Sequence, residues 1–271
     1  MAIVNRTPDS FYDKGATFAF QSALDRVDTV VEQGADIVDI GGVKAAPGEQ
    51  VSTEEEIDRT VEFVATVRAN HPDVIISVDT WRHEVGDAVC AAGADLLNDA
   101  WGGHDPLLAE VAGKHHVGIV CTHTGGVQPR TRPHRIEYRD VMADVLTRTV
   151  ALAERAVRFG VDPRSAIIDP AHDFGKNTFH SLEVTRRLPE MVQTGRPVLV
   201  SLSNKDFVGE TLGGLPVDQR LTGTLATTAI CAWMGASVFR VHNVVETRQT
   251  LDMVASIQGH RPPARTVRGL A

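Results

Sequence analysis

Ala166-Ile167-Ile168-Asp169-Pro170-Ala171-His172-Asp173-Phe174-Gly175-Lys176-Asn177 reads as a strand that ends on a carboxylate. A short β-branched run delivers Asp169, Pro170 stops the strand, and Gly175 leads into a polar opening for the next helix. A carboxylate at the last position of a buried strand is costly unless it meets a donor. Taken singly, such an aspartate reads best as a cap for the helix that follows. The same design, however, recurs all along the chain.

Apolar runs at 1–4, 37–40, 74–78, 95–97, 117–121, 166–168, 197–202 and 238–241 alternate with helix-like stretches. Near-continuous apolar runs suit strands buried on both faces of a parallel sheet. Ser52-Thr53-Glu54-Glu55 has the pattern of a capping box and opens a helix to about residue 69, with Ile57, Val61, Val64 and Val67 on one face. Residues 141–159 form a longer helix closed by Gly160. Gly34-Ala35, Gly93-Ala94 and Gly235-Ala236 each end a helix just before a strand. Eight strand–helix pairs predict an α/β protein with a (β/α)8 TIM barrel, the doubly wound open sheet being the alternative. The barrel is expected to be a single domain over 1–262, followed by an irregular tail at 263–271.

With 271 residues, 42% of them hydrophobic and 23% charged, the chain can bury a full core. A net charge of −8 and an isoelectric point near 5.7 argue against a nucleic-acid partner. No apolar run is long enough for a bilayer, so no membrane partner is expected. The opening enters a strand directly, so no secretory leader is expected, and Cys90, Cys121 and Cys231 are scattered among apolar residues. A cytoplasmic protein with reduced thiols is the expectation.

In a barrel of this kind, chemistry sits where the strands end. Those ends carry Asn5, Asp39, Asp79, Asn98-Asp99, His123, Asp169, Ser203 with Lys205, and Arg240 with His242. Any one of them reads equally well as a satisfied polar group, but convergence from so many strands marks an active-site rim. Asp79, Asn98 and Asp169 offer acceptors and an amide suited to a planar heterocycle with several N–H groups. Lys205 can donate to a ring carbonyl and ring nitrogen. Arg240 and His242, two residues apart, point the same way and make an anion site. Asn5 offers a neutral oxygen of the kind that can ligate Mg²⁺ on a diphosphate.

Ile3-Val4-Asn5-Arg6-Thr7-Pro8-Asp9-Ser10-Phe11 is similar to the N-V-T-P-D-S-F opening of the dihydropteroate synthases. Ser77-Val78-Asp79-Thr80, Asn98-Asp99, Asp169-Pro170 with Phe174-Gly175-Lys176-Asn177, Ser203-Asn204-Lys205 and Arg240-Val241-His242 resemble that family's successive motifs, in order. The resemblance implies a dimeric barrel that joins 6-hydroxymethyl-7,8-dihydropterin diphosphate to p-aminobenzoate, with Mg²⁺, in folate synthesis. It implies that Asp79, Asn98, Asp169, Lys205 and Phe174 hold the pterin, and that Asn5, Arg240 and His242 hold the diphosphate and its metal. Lys205, Arg240 and His242 would then do the catalytic work of stabilising the developing charge.

The departures from the family pattern cluster. The family loop G-G-E-S-T-R-P-G is Gly41-Gly42-Val43-Lys44-Ala45-Ala46-Pro47-Gly48 here, so a Thr-Arg pair is lost. Lys44 restores charge to that loop without arginine's bidentate geometry. S-R-K-S is Ser203-Asn204-Lys205-Asp206, which sets a carboxylate against the carboxylate of p-aminobenzoate, a repulsion of about 1 kcal/mol at ~4 Å in water. D-P-G-F-G-F-G is Asp169-Pro170-Ala171-His172-Asp173-Phe174-Gly175, which is expected to add negative charge beside the pterin mouth. The loop at 128–135 is basic and reads best as a solvated surface. A pterin site retained and a p-aminobenzoate site dismantled predict weak or absent synthase activity. The alternatives are a fully active synthase, a non-catalytic pterin-binding regulator and a pterin-dependent methyltransferase.

Overall fold

The computed structural model describes residues 1–7, 19–131 and 136–268. The strands are β1 (Ala2–Asn5), β2 (Ile37–Gly41), β3 (Ile75–Asp79), β4 (Leu96–Asp99), β5 (Gly118–Thr122), β6 (Ala166–Asp169), β7 (Leu199–Val200) and β8 (Val238–Phe239). The helices are α1 (Phe20–Glu32), α2 (Thr53–Asn70), α3 (His83–Ala91), α4 (Leu108–Lys114), α5 (Val141–Arg158), α6 (Thr178–Arg186), α7 (Leu188–Val192), α8 (Asp206–Thr211), α9 (Leu221–Trp233) and α10 (Val244–Ile257). Residues 258–268 carry neither helix nor strand. Among the described residues no helix is long and apolar enough to cross a membrane.

β1 to β6 form one parallel sheet in chain order, and β7 pairs in parallel with β8. Two isolated parallel bridges join these pieces, Ile168 to Val198 and Ala2 to Val241. The Val241 N–H donates to the Met1 carbonyl at 2.9 Å and the Ile3 N–H to the Val241 carbonyl at 3.0 Å. The strands therefore close into a (β/α)8 barrel, and the open-sheet alternative falls. β7 and β8 are shorter than the apolar runs 197–202 and 238–241 because only part of each run meets a neighbour in register.

Side chains alternate across the barrel wall. The outward set, including Val4, Ile40, Val78, Val27, Phe63 and Val67, packs between sheet and helices. The inward set begins with Met1, Leu96, Val120, Ile167 and Leu199, backed by Ile37 and Val238, which plug the lumen. Two residues further along the same strands the lumen turns polar: Ile37 gives way to Asp39, Leu96 to Asn98, Ile167 to Asp169 and Val238 to Arg240. The two-residue period thus stacks a polar layer directly on an apolar plug.

Capping follows the sequence only in part. Ser52 Oγ accepts from the Glu55 N–H at 3.1 Å, but the Glu55 carboxylate turns to Arg59, so the capping box is half made. Asp140 caps α5 by accepting from the Ala143 N–H at 2.9 Å.

Candidate active site

Asp39, absent from the expected ligand set, organises the polar layer. It is fully buried and accepts from Ser77 Oγ at 2.6 Å, Asn98 Nδ2 at 3.2 Å and Arg240 Nε at 2.6 Å. Arg240 Nη2 also reaches Asp79 at 2.9 Å. The guanidinium expected to form an open anion site is thus held between two carboxylates, which raise its pKa against the effect of burial. Burial raises Asp79 to about 7, outweighing Arg240 and aided by the nearby Asp39 carboxylate. A carboxyl that shares its proton near neutrality can donate or accept toward a heterocycle. The signal for Asp39 was present in the sequence, as a lone charge ending an apolar run.

Asp169 sits on the next face of the lumen, accepting from the Ala171 N–H at 2.7 Å. Burial raises its pKa, opposed by Lys205. Lys205 Nζ lies 5.0 Å from the Phe174 ring centre and donates to the His172 carbonyl. Burial lowers its pKa, countered by Asp173 and Asp169. Phe174 meets Trp101 edge-on at 5.4 Å, and Trp101 meets Trp81 at 6.3 Å, an aromatic run beside the mouth that the motifs did not suggest.

The β6–α6 loop explains why its departures are tolerated. Ala171 and Asp173 have φ of 50° and 68°, the left-handed region that favours glycine, and both stand where the family pattern has glycine. Asp173, expected to charge the pterin mouth, acts on Lys205 and is also tied to the next helix. Its carboxylate accepts from the Phe207 N–H at 3.2 Å, in the first turn of α8, and from Ser181 Oγ at 3.2 Å. Unpaired N–H groups at a helix start attract a carboxylate more strongly than open solvent does. His172 is fully buried, stacked on Phe207 at 5.3 Å, and burial holds its pKa well below the usual histidine range.

Lys176 ties this loop to β5. Its Nζ donates to the Ala171 carbonyl at 3.1 Å, the Phe174 carbonyl at 3.0 Å and His123 Nδ1 at 2.6 Å. His123 Nε2 donates in turn to Asp144 at 2.7 Å. Burial lowers Lys176 to about 7 and His123 to about 4.

At the other side of the mouth, His242 Nδ1 meets Ser203 Oγ at 2.9 Å. Burial, with Arg240 next, lowers His242 to about 3, so it is a neutral imidazole. Asn5 Oδ1 lies over Gly41, 3.6 Å from where a Cβ would stand, with the Asp79 Cβ 3.9 Å from the same point. A neutral oxygen beside a carboxyl, on an open rim, fits Mg²⁺ held mainly by diphosphate and water.

Asp206 does not face the mouth unopposed. Arg220 Nη1 pairs with it at 2.8 Å and also donates to the Asn204 carbonyl at 2.9 Å. Asn204 is buried with φ of 56°, and its N–H donates to Thr224 Oγ1 at 3.1 Å. The charge of Asp206 is therefore paired with an arginine 14 residues away. The altered β2–α2 loop is gripped by three arginines: Arg59 donates to the Gly42 carbonyl, Arg82 to Val51, and Arg130 to Ala46 and Glu49. Arg130 belongs to the basic 128–135 stretch, so that stretch is not simply solvated; residues 132–135, like Pro8 to Phe11 of the opening motif, lie outside the described residues.

A family described as pterin binding enzyme matches residues 1–242. The chain belongs to that family. It is 59% identical over 275 residues to "Inactive dihydropteroate synthase 2" of Mycobacterium tuberculosis, covering all of this chain and 86% of that protein. It is 37% identical to the dihydropteroate synthase of Bacillus subtilis, covering 94% of this chain and 86% of that one. The Yersinia pestis dihydropteroate synthase, solved with a sulfonamide drug complex, superposes with a TM-score of 0.90 at 35% identity, over 96% of this chain and 94% of that one. This chain is thus a divergent dihydropteroate synthase homologue with the barrel of its relatives.

Proposed function

We propose that the barrel mouth binds a pterin diphosphate through Asp79, Asn98, Asp169, Lys205 and Phe174, and that turnover to dihydropteroate is weak or lost. The observation that carries this reading is the contrast between an intact polar layer and an altered rim. Acceptors, an amide and an ammonium converge in the lumen, while Ala45-Ala46 stands in a loop gripped by Arg59, Arg82 and Arg130. The relatives at 59% identity carry the name of an inactive synthase, which agrees.

In this reading Asn5, Arg240 and His242 meet the diphosphate, and Asn5 would hold a Mg²⁺ whose positive charge would offset that of the leaving group. Arg240 serves best by bracing Asp79 and Asp39 and by presenting its planar face to the heterocycle. His242 donates from Nε2, because Ser203 occupies Nδ1. Lys205 balances charge at the pterin carbonyl side. The protein is expected to act in the cytoplasm on small molecules, as a homodimer. Ile230, Trp233, Met253 and Ile257 on the adjacent α9 and α10 are exposed, an apolar face of the kind a second copy covers.

The test is pyrophosphate release from the pterin diphosphate with and without p-aminobenzoate, alongside calorimetry of an oxidised pterin. Pterin should bind and amine-dependent release should be slight. Asp169→Asn should cost about 1.5–3 kcal/mol of binding by replacing a charge-assisted acceptor with an amide. Unaltered affinity in that variant would move the site elsewhere, and amine-dependent turnover near ~1 per second would make the chain an ordinary synthase.

A further inference from the structure

Outside the barrel, a cleft of about 330 Å³ runs between α5 and the loops that follow β4 and β5. Its walls include Arg148, Arg155 and Arg158 of α5, with Ala151 and Leu152 between them and Gly102, Thr124 and Gly126 opposite. Spacings of seven and three residues put the three arginines on one helix face. They gather in a chain whose net charge is −8.

Arg148 is partly neutralised, its Nε pairing with Asp144 at 2.8 Å. Arg158 stands in the last turn of α5, where a cation suits the helix dipole. Arg155 is only partly accounted for: its charge favours the ionised form of the buried Asp99 carboxylate, but its Nε is buried without a hydrogen-bond partner. It lies against the β4–α4 loop, where a Cβ on Gly103 would come within 2.9 Å of Arg155 Nη2 and 2.6 Å of Leu152 Cδ2. Gly102 and Gly103 hold φ of 64° and 72°, so glycine there both permits the turn and leaves room for the guanidinium. Asp99, behind the same loop, is already satisfied by the Trp101 and Gly103 N–H groups at 3.0 and 2.6 Å. A buried N–H left without a partner is costly, and the rest of the half-buried guanidinium is a planar donor group that suits phosphate oxygens.

We propose that this cleft binds a phosphate group, free or carried on a small phosphorylated metabolite, with Arg155 as the central donor and Arg148 and Arg158 flanking it. The cleft also borrows Thr122 and His123 from the end of β5, and the proposal does not depend on the pterin reading. Ala151 and Leu152 offer an apolar wall for the carbon part of a monoester, and Arg148 can exchange Asp144 for a phosphate oxygen.

The experiment is amide NMR on the full chain, titrated separately with inorganic phosphate and with glycerol 3-phosphate. Saturable shifts are expected at the Gly102, Gly103, Thr124 and Gly126 amides. Arg155→Met should weaken them about 10- to 100-fold, the loss of one or two charge-assisted hydrogen bonds. An Arg148→Met, Arg158→Met pair, which leaves the Gly103 contact untouched, should weaken them too. Lys205→Met, in the barrel mouth, should leave them in place. Tighter binding of the monoester would support a phosphorylated metabolite, and equal affinities free phosphate. Shifts confined to the Ser203 and His242 amides, shifts unchanged in Arg155→Met, or no saturable shift at the cleft with either titrant would overturn the proposal.

Discussion

Ala171 holds a backbone conformation that glycine adopts at no steric cost, and the protein retains it because the surrounding contacts over-determine the loop. Lys176 takes the Ala171 and Phe174 carbonyls, Asp169 takes the Ala171 N–H, and Asp173 caps α8. Ala171→Gly should therefore stabilise the protein by about 1 kcal/mol, the left-handed penalty less the added freedom of the unfolded chain. Denaturant midpoints measure this, and a destabilised variant would show that the Ala171 methyl packs better than its φ suggests. Gly175 gives the opposite case, since a Cβ there would stand 2.1 Å from the Thr124 carbonyl oxygen. Lys176 sets a pH dependence. Its folded pKa of about 7 lies below the unfolded value of 10.5, so between those values the unfolded chain binds the extra proton. Stability contributed through this residue therefore rises with pH from about 7 to about 10.5, at about 1.4 kcal/mol per pKa unit of separation. Lys176→Met should flatten the rise, read as the difference in unfolding free energy between variant and parent at pH 7 and pH 10.

In the function proposed above, the β2–α2 loop is the element on which activity turns. Its carbonyls are held by arginines from α2, from the start of α3 and from the β5–α5 loop, so the segment is fixed without the Thr-Arg pair of the family. Because Arg220 already pairs with Asp206, the pair Asp206→Ser with Asn204→Arg should restore little dihydropteroate formation. Arginine at 204 should also destabilise the fold by about 1–3 kcal/mol, since the position is buried and left-handed. Ala45→Thr with Ala46→Arg, combined with Arg130→Ala to release the loop, should raise dihydropteroate formation more than either change alone. A product assay across those variants decides the matter, and a larger gain from the 204/206 pair would place the defect on α8 instead.

At the scale of the whole molecule, the barrel separates two tasks by height. The apolar plug of Met1, Leu96, Val120, Ile167 and Leu199 carries packing, and the layer above it carries charge. The outer face of α9 and α10 carries neither, and its exposed Trp233 and Met253 should sit in a two-fold interface. Trp233→Glu with Met253→Glu should convert a dimer to a folded monomer, measured as mass by light scattering with an unchanged helical spectrum. A parent that is monomeric at micromolar concentration would remove the basis for this expectation.

The sequence by itself determined a parallel α/β fold of eight strand–helix units, because eight apolar runs of strand length, separated by helical periodicity, leave few ways to bury both faces of a sheet; the bridge between Ala2 and Val241 then chose the barrel over the open sheet. It also determined which strand ends would be polar, since a charge two residues beyond an inward-facing apolar residue must share its side of the wall. Only the tertiary structure decided what those charges meet. Asp39 and Arg240 lie 201 residues apart, as partners that no local pattern links. Arg220 reaching Asp206, Asp173 turning to α8 and Arg130 gripping Ala46 are contacts between loops, whose approach depends on how neighbouring helices pack. Motif spacing reports residue type and order; the net charge a ligand feels depends on distances that only the closed barrel sets.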